Sequence, residues 1–172
     1  MKSDRPLCVL VGPPGAGKTT VGRLVAGSLD APFLDTDDMV ADLAGKPIAE
    51  ILFDEGEAAL RSAERAAVIE ALAAPSAVVA LGSGAVLDPD VQTYLADHFV
   101  IHLAAQLATV TRRTAMTSGG QIAGIGVRSL LRTMLDERSQ LYRRLASITI
   151  ATDDRTPEAA ATEVKQALRL QR

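Results

Sequence analysis

Residues 12–19 read Gly12-Pro13-Pro14-Gly15-Ala16-Gly17-Lys18-Thr19, which matches the phosphate-binding pattern G-x-x-x-x-G-K-[ST] at every fixed position. An apolar, strand-like run, Leu7–Val11, precedes the segment, and a helical pattern begins near Lys18. Glycines let several backbone N–H groups point at one anion, and the start of the following helix adds partial positive charge. The segment, with Thr20, therefore predicts binding of a nucleoside triphosphate, with the Thr19 hydroxyl placed to ligate Mg²⁺.

Composition indicates one globular domain over residues 1–172, with 48% hydrophobic and 23% charged residues. The net charge of −3 and the lack of basic clusters with aromatics predict no nucleic-acid partner. The single cysteine, Cys8, lies in an apolar run and suits a reducing compartment. No apolar run reaches the ~18 residues needed to span a bilayer, so we expect a cytoplasmic protein without a membrane partner. We also expect a monomer.

Short apolar runs alternate with longer helical patterns, which predicts an α/β three-layer sandwich around a five-stranded parallel sheet. The predicted strands are Leu7–Val11, Pro32–Asp35, Ala77–Leu81, His98–Leu103 and Ile148–Ala151. The predicted helices are Lys18–Leu29, Ile48–Ala73, Pro89–Ala96, Ala105–Thr114, Val127–Leu145 and Pro157–Leu168.

Two segments interrupt this alternation. The first, at about 36–61, is long for a connection, and we expect it to bind a second substrate. In the second, residues 115–126 include four glycines and no charged residue. That composition favours a flexible lid over the nucleotide at about 114–127, although an ordinary mobile loop fits the same composition.

Charged side chains that could hold an acceptor molecule follow the phosphate-binding segment. Asp35 and Asp37 are two residues apart at the end of a predicted strand, so both can face one cleft. Arg61 and Arg138 lie on predicted helices, and a guanidinium grips a carboxylate with paired hydrogen bonds. The backbone of Gly82-Ser83-Gly84 can approach a substrate closely. Together these residues predict a polyhydroxylated carboxylic acid as acceptor.

Each of these features also has a purely structural interpretation. The carboxylates of residues 35–38 could cap the next helix. Arg61 could pair with Glu57 or Glu64 on its own helix, and Arg138 with an acidic neighbour. Gly82–Gly84 could be a tight turn. The joint occurrence of these features at the ends of successive predicted strands favours the functional interpretation.

Over nearly its whole length the chain resembles the shikimate kinase family of P-loop enzymes, which are similar to nucleoside monophosphate kinases. The string Asp-Thr-Asp, followed by Gly-Glu-x-x-x-Arg and a glycine-rich triplet, is much more specific than the phosphate-binding pattern alone. The matching pieces, in the family's order, are Gly12–Thr19, Phe33–Asp37, Ile48–Phe53, Gly56-Glu57, Leu60–Glu64, Leu81–Val86, Arg128–Leu131, Arg138, Leu141-Tyr142 and Ala146.

On the acceptor side, the resemblance implies that Asp37, Arg61 and Arg138 hold the hydroxyls and carboxylate of shikimate. It also implies that the backbone of Gly82, Ser83 and Gly84 assists them. The sequence departs from the family's glycine triplet at Ser83. It departs again at Leu60, where the family often has phenylalanine.

On the donor side, the resemblance implies that Asp35 lies close to Mg²⁺ and the transferred phosphoryl group. It implies that Arg128 is a lid arginine that neutralises phosphate charge. Arg113 would flank the adenine, with the Thr152–Pro157 loop on its other side. Ser129 replaces the proline that usually follows the lid arginine.

We therefore predict ATP- and Mg²⁺-dependent phosphorylation of a small hydroxy acid, shikimate, with Lys18, Asp35, Asp37 and Arg128 as catalytic residues. A sugar-acid kinase acting on gluconate, or a catalytically weak nucleotide-binding paralogue, are the alternatives. A metal hydrolase is disfavoured, because His98 and His102 fall in a predicted strand, too far apart to chelate one ion.

Overall fold

Parallel strands form the central sheet of the computed structural model, which describes residues 4–117 and 125–171. In spatial order the sheet reads β2-β3-β1-β4-β5, with every neighbouring pair parallel. The predicted α/β class and five-stranded parallel sheet are confirmed. The strands are β1 (Cys8–Val11), β2 (Phe33–Asp35), β3 (Val78–Ala80), β4 (Val100–Ala104) and β5 (Ile148–Ala151).

Helices cover both faces of the sheet. Alternate residues of the buried strands enter two hydrophobic clusters, so that Val9 packs on one face and Leu10 on the other. None of the described helices has the length and apolar character needed to cross a membrane. The helices are α1 (Lys18–Leu29), α2 (Thr36–Ala44), α3 (Ile48–Glu55), α4 (Glu57–Leu72), α5 (Pro89–Leu95), α6 (Leu107–Thr117), α7 (Ile125–Leu145) and α8 (Pro157–Leu170), with a 3₁₀ turn at Ala85–Leu87.

The segment at 36–61 is helical rather than an open connection. It contains α2, α3 and the first turn of α4. The single helix predicted over Ile48–Ala73 is wrong, because Gly56, at a φ of 84°, separates α3 from α4. A left-handed φ costs glycine little, so the chain changes direction there.

Half of the predicted lid at about 114–127, residues 118–124, lies outside the described residues. Its described flanks are helical, since α6 continues to Thr117 and α7 begins at Ile125. The predicted helices ending at Thr114 and beginning at Val127 are therefore too short at those ends. The role of this segment as a lid therefore stays a prediction.

The carboxyl ends of the parallel strands meet at one edge of the sheet. The phosphate-binding segment follows β1, the start of α2 follows β2, and the Gly82–Gly84 loop follows β3. Ligands of open parallel sheets bind at this edge. The order of the strands thus places the predicted donor and acceptor residues side by side.

Candidate active site

The phosphate-binding segment forms a tight loop closed by its own lysine. Gly15 and Gly17 have φ values of 74° and 97°, in the left-handed region that favours glycine. A side chain at Gly12 would overlap the carbonyl oxygen of Leu103. Lys18 Nζ donates to the carbonyl oxygens of Gly12 at 2.9 Å and Pro13 at 3.0 Å. The glycine conformations and the lysine contacts therefore shape the loop from within the segment itself.

Burial and three nearby charged side chains set the pKa of Lys18. Burial lowers the pKa of the Lys18 ammonium to about 8. The carboxylates of Asp37 and Asp35 oppose this shift, and the nearby Arg138 adds to it. Lys18 is therefore mainly protonated at neutral pH, in a buried position where a polyanion gains strong stabilisation.

Asp35 connects the phosphate loop to α2. Its Oδ2 accepts a hydrogen bond from Thr19 Oγ1 at 2.7 Å, and its Oδ1 accepts one from the Asp37 amide at 3.1 Å. The second bond makes Asp35 the N-cap of α2, which confirms the predicted cap. The first bond places the two predicted metal ligands next to each other.

Thr19 Oγ1 and Asp35 Oδ2 suit Mg²⁺ better than a metal ion whose ligands all come from the protein. Mg²⁺ prefers oxygen ligands, keeps several waters and takes its remaining ligands from phosphates. In the part of the chain that the structure describes, no cluster of three or more His, Cys, Asp or Glu residues could hold a metal ion. Thr19 and Asp35 therefore match a magnesium that arrives with a nucleotide.

Asp37 lies against the backbone of the loop after β3. A side chain at Gly82 would overlap Oδ1 of Asp37, so the glycine is what leaves room for this carboxylate. The Gly82 amide is not free for a substrate, because it donates to Thr36 Oγ1 at 2.9 Å. Burial, and then the negative charge of Asp35, raise the pKa of Asp37 to about 6. Asp37 is therefore a desolvated carboxylate that is still ionised at neutral pH.

Arg61 reaches the same loop from α4. A side chain at Gly84 would overlap its Nη1. The guanidinium also pairs with Glu64 Oε2 at 2.5 Å and with Glu57 Oε1 at 3.5 Å. The predicted ion pairs with these carboxylates are thus confirmed. Arg61 still lies in the site, because the guanidinium that pairs with Glu57 and Glu64 also faces Gly84 of the loop.

Arg138 is the most buried arginine of the site, with 9% of its surface exposed. Its Nε–H has no hydrogen-bond partner within the described residues. Among those residues, the predicted alternative of an ion pair with an acidic neighbour is not found within 4.0 Å. A buried, unsatisfied donor on a cation is costly and indicates a place for an anionic ligand.

Arg113 and Arg128 differ in how they relate to the phosphate loop. Arg113 donates to the Gly15 carbonyl oxygen at 3.1 Å and to the Thr152 carbonyl oxygen at 2.6 Å, so it joins the loop to the segment after β5. Arg128 is exposed near the start of α7, ten residues before Arg138. Ten helical residues span about 15 Å. The structure therefore brings Arg113 to the loop and leaves Arg128 at the surface.

Two contributors to the site were missed by sequence reasoning. The Thr36 hydroxyl oxygen accepts from the Gly82 amide at 2.9 Å, and the Tyr142 hydroxyl donates to the Ser83 carbonyl oxygen at 2.7 Å. Neither residue carries a local signal for this contact, because each acts on a loop far away in sequence. Glu64, in contrast, was predicted as a partner of Arg61 from its i, i+3 spacing.

Comparisons with known proteins agree with this geometry. The family model for shikimate kinase matches residues 14–169. The shikimate kinase of Salinispora tropica is 46% identical over 159 residues, which covers 92% of this chain and 95% of that protein. The shikimate kinase of Acinetobacter baumannii, solved in complex with shikimate, superposes with a TM-score of 0.90 at 30% identity, covering 98% of this chain and 94% of that one.

The rival sugar-acid kinase is a more distant relative. A gluconokinase from Sinorhizobium meliloti superposes with a TM-score of 0.56 at 19% identity and covers 98% of each chain, so it shares the fold alone. The family model and the shikimate kinase of Salinispora tropica each cover most of this sequence. The chain therefore belongs to the shikimate kinase family and is a kinase that transfers phosphate to a hydroxyl group.

Proposed function

We propose that this chain transfers the γ-phosphoryl group of ATP to the 3-hydroxyl of shikimate. The observation that carries the proposal is the buried Arg138, with its unpartnered Nε–H, at a site that also holds Lys18 and Asp37. Arg61 enters the same site beside Gly84. Two guanidinium groups beside a desolvated carboxylate suit a small acid that also carries hydroxyl groups.

On the donor side, the backbone of Gly12–Thr19 would receive the phosphates, with Thr20 in the first turn of α1. Lys18 would move from the Gly12 and Pro13 carbonyl oxygens to the β- and γ-phosphates. Thr19 and Asp35 would hold Mg²⁺, which when bound offsets negative charge on the phosphate oxygens. Arg113, already anchored at Thr152, would flank the adenine.

On the acceptor side, Arg61 and Arg138 would grip the carboxylate and so fix which hydroxyl faces the nucleotide. Asp37 would accept a hydrogen bond from that hydroxyl and orient its oxygen in line with the γ-phosphorus. The transition state of phosphoryl transfer is loose, so orientation contributes more than removal of the proton. The new O–P bond forms as the bond between the γ-phosphorus and ADP breaks, and the hydroxyl proton passes to the ionised carboxylate of Asp37.

We further propose that the enzyme acts as a cytoplasmic monomer without a nucleic-acid partner. The net charge of −3 gives no electrostatic basis for binding nucleic acid. The lone Cys8 is buried, and burial raises the pKa of its thiol to about 12. Such a thiol is inert, which fits a packing role in a reducing compartment.

An assay of ADP release tests the acceptor directly. The purified chain is incubated with ATP and Mg²⁺ together with shikimate, quinate, gluconate or no acceptor. We expect fast release with shikimate alone, because the paired arginines select a carboxylate at one distance from the reacting hydroxyl. Preference for gluconate would support the rival kinase, and equal release in every arm would support the nucleotide-binding paralogue.

The role of Arg128 remains a prediction that its exposed position makes easy to test. If Arg128 neutralises charge in the transition state, Arg128→Ala should lower kcat by about 10-fold or more and change the acceptor KM much less. Arg132→Ala, one turn later on α7 and also exposed, is the matched control. Unchanged turnover in the Arg128 variant would remove Arg128 from the catalytic residues.

A further inference from the structure

Tyr142 is a buried side chain that links the two halves of the acceptor site. It lies one helical turn after Arg138 on α7, and 1% of its surface is exposed. Its hydroxyl donates to the carbonyl oxygen of Ser83 at 2.7 Å. Ser83 is the middle residue of the loop whose flanking glycines make room for Asp37 and Arg61. A single hydroxyl thus fixes the position of that loop relative to α7.

The same hydroxyl interacts with the guanidinium of Arg138. Burial raises the pKa of Tyr142 to about 12, although the charge of Arg138 and its hydrogen bond to the phenol oppose the rise. The hydroxyl therefore keeps its proton at any physiological pH and remains a donor to Ser83. Its oxygen is the acceptor for Arg138, so both polar capacities of the group are used inside the site.

The ring of Tyr142 also packs against His102. The two rings stack with centroids 5.4 Å apart and an angle of 28° between their planes. His102 lies on β4, paired with Val11, the residue that precedes the phosphate loop. Burial, and then the charges of Arg143 and Lys18, lower the pKa of His102 to about 4, so its ring is neutral. Tyr142 therefore has little freedom to rotate away from Ser83.

We propose that Tyr142 is a positioning residue that sets the distance between Arg138 and the Gly82–Gly84 loop for the acceptor. The proposal rests on the proposed function, since it assigns Arg138, Arg61 and Asp37 to one acceptor molecule. Loss of the hydroxyl would free the loop to move relative to α7. Asp37 and Arg61 lie against the glycines of this loop, so their positions relative to Arg138 would no longer be fixed. Small errors in position are costly where several groups must contact one rigid ligand.

The test is Tyr142→Phe, which keeps the ring and its stacking on His102 and removes only the hydroxyl. We expect the shikimate KM to rise about 10-fold, with the ATP KM within about twofold of the parent value. Tyr94→Phe is the matched control, because Tyr94 is the other tyrosine of the chain and is 40% exposed on α5. We expect this control to change neither KM.

Two results would overturn the positioning role: an unchanged shikimate KM in Tyr142→Phe, or a parallel rise in both KM values, which a general loss of structure would produce. A parent enzyme that does not phosphorylate shikimate would instead contradict the proposed function. Fluorescence gives a second measurement, because the chain has no tryptophan and Tyr94→Phe leaves Tyr142 as the only tyrosine. Binding of shikimate should change the emission of Tyr142 in this variant. No change in emission at saturating shikimate would count against the positioning role of Tyr142.

Discussion

Replacing Asp37 with asparagine is expected to lower kcat for shikimate by at least about 100-fold, with ATP binding nearly unchanged. The amide keeps the shape of the carboxylate but loses the charge that, in the proposed mechanism, orients the attacking hydroxyl and accepts its proton. Asp37 does not belong to the phosphate loop, so the nucleotide keeps its main contacts. Steady-state kinetics with a direct measurement of ATP affinity separates the two effects.

The pH dependence sharpens this expectation, because the pKa of Asp37 is raised to about 6. The carboxylate gains its proton as pH falls through this value, so kcat/KM of the parent enzyme should decrease below about pH 6. In Asp37→Asn this decrease should disappear, whereas a decrease caused by titration of ATP would remain in both proteins. Asp38→Asn, at the exposed neighbour, serves as the control. An acidic limb that persists in Asp37→Asn would contradict the assignment.

Much of the fold was predictable because the phosphate-binding segment sets the local structure on both sides of itself. Gly17 caps α1, and α1 has the predicted bounds, Lys18–Leu29. The helices after β2 were harder to predict, because a continuous helical pattern runs across Gly56. A single glycine within such a pattern is tolerated or ends the helix according to the packing around it. Here α3 and α4 both pack against α2, which requires the break.

Site residues were predictable where a short sequence motif with fixed residue types specifies their chemistry. Lys18 and Thr19 follow from the phosphate-binding pattern, whereas Arg61 and Arg138 follow from their charge and their positions on predicted helices, together with the family resemblance. The contacts that hold the acceptor loop were not predictable in the same way. Tyr142 and Ser83 are 59 residues apart in sequence, and Thr36 and Gly82 are 46 apart. Thr36 and Gly82 meet because the sheet brings the ends of β2 and β3 together, and Tyr142 reaches Ser83 because α7 packs near β4 and the 3₁₀ turn.

Replacing Arg61 with alanine is expected to raise the shikimate KM by about 100-fold while leaving ATP affinity nearly intact. In the proposed binding mode, the variant loses charge-assisted hydrogen bonds to the acceptor carboxylate. It also leaves the carboxylate of Glu64, whose side chain is 9% exposed, without its partner. The second effect could lower stability, so the kinetic result needs a control that disturbs α4 without touching the site.

Arg65→Ala provides that control, because Arg65 lies one turn further along α4 and pairs with Asp88 at 2.6 Å and Asp90 at 3.0 Å. It removes a guanidinium and two ion pairs from the same helix, but no contact with the acceptor loop. We expect it to lower the urea midpoint of unfolding and to leave the shikimate KM unchanged. If ATP affinity fell as much as shikimate affinity in Arg61→Ala, or if Arg65→Ala raised the shikimate KM equally, Arg61 would act through the stability of α4. Only a selective rise in the Arg61 variant places its guanidinium on the acceptor.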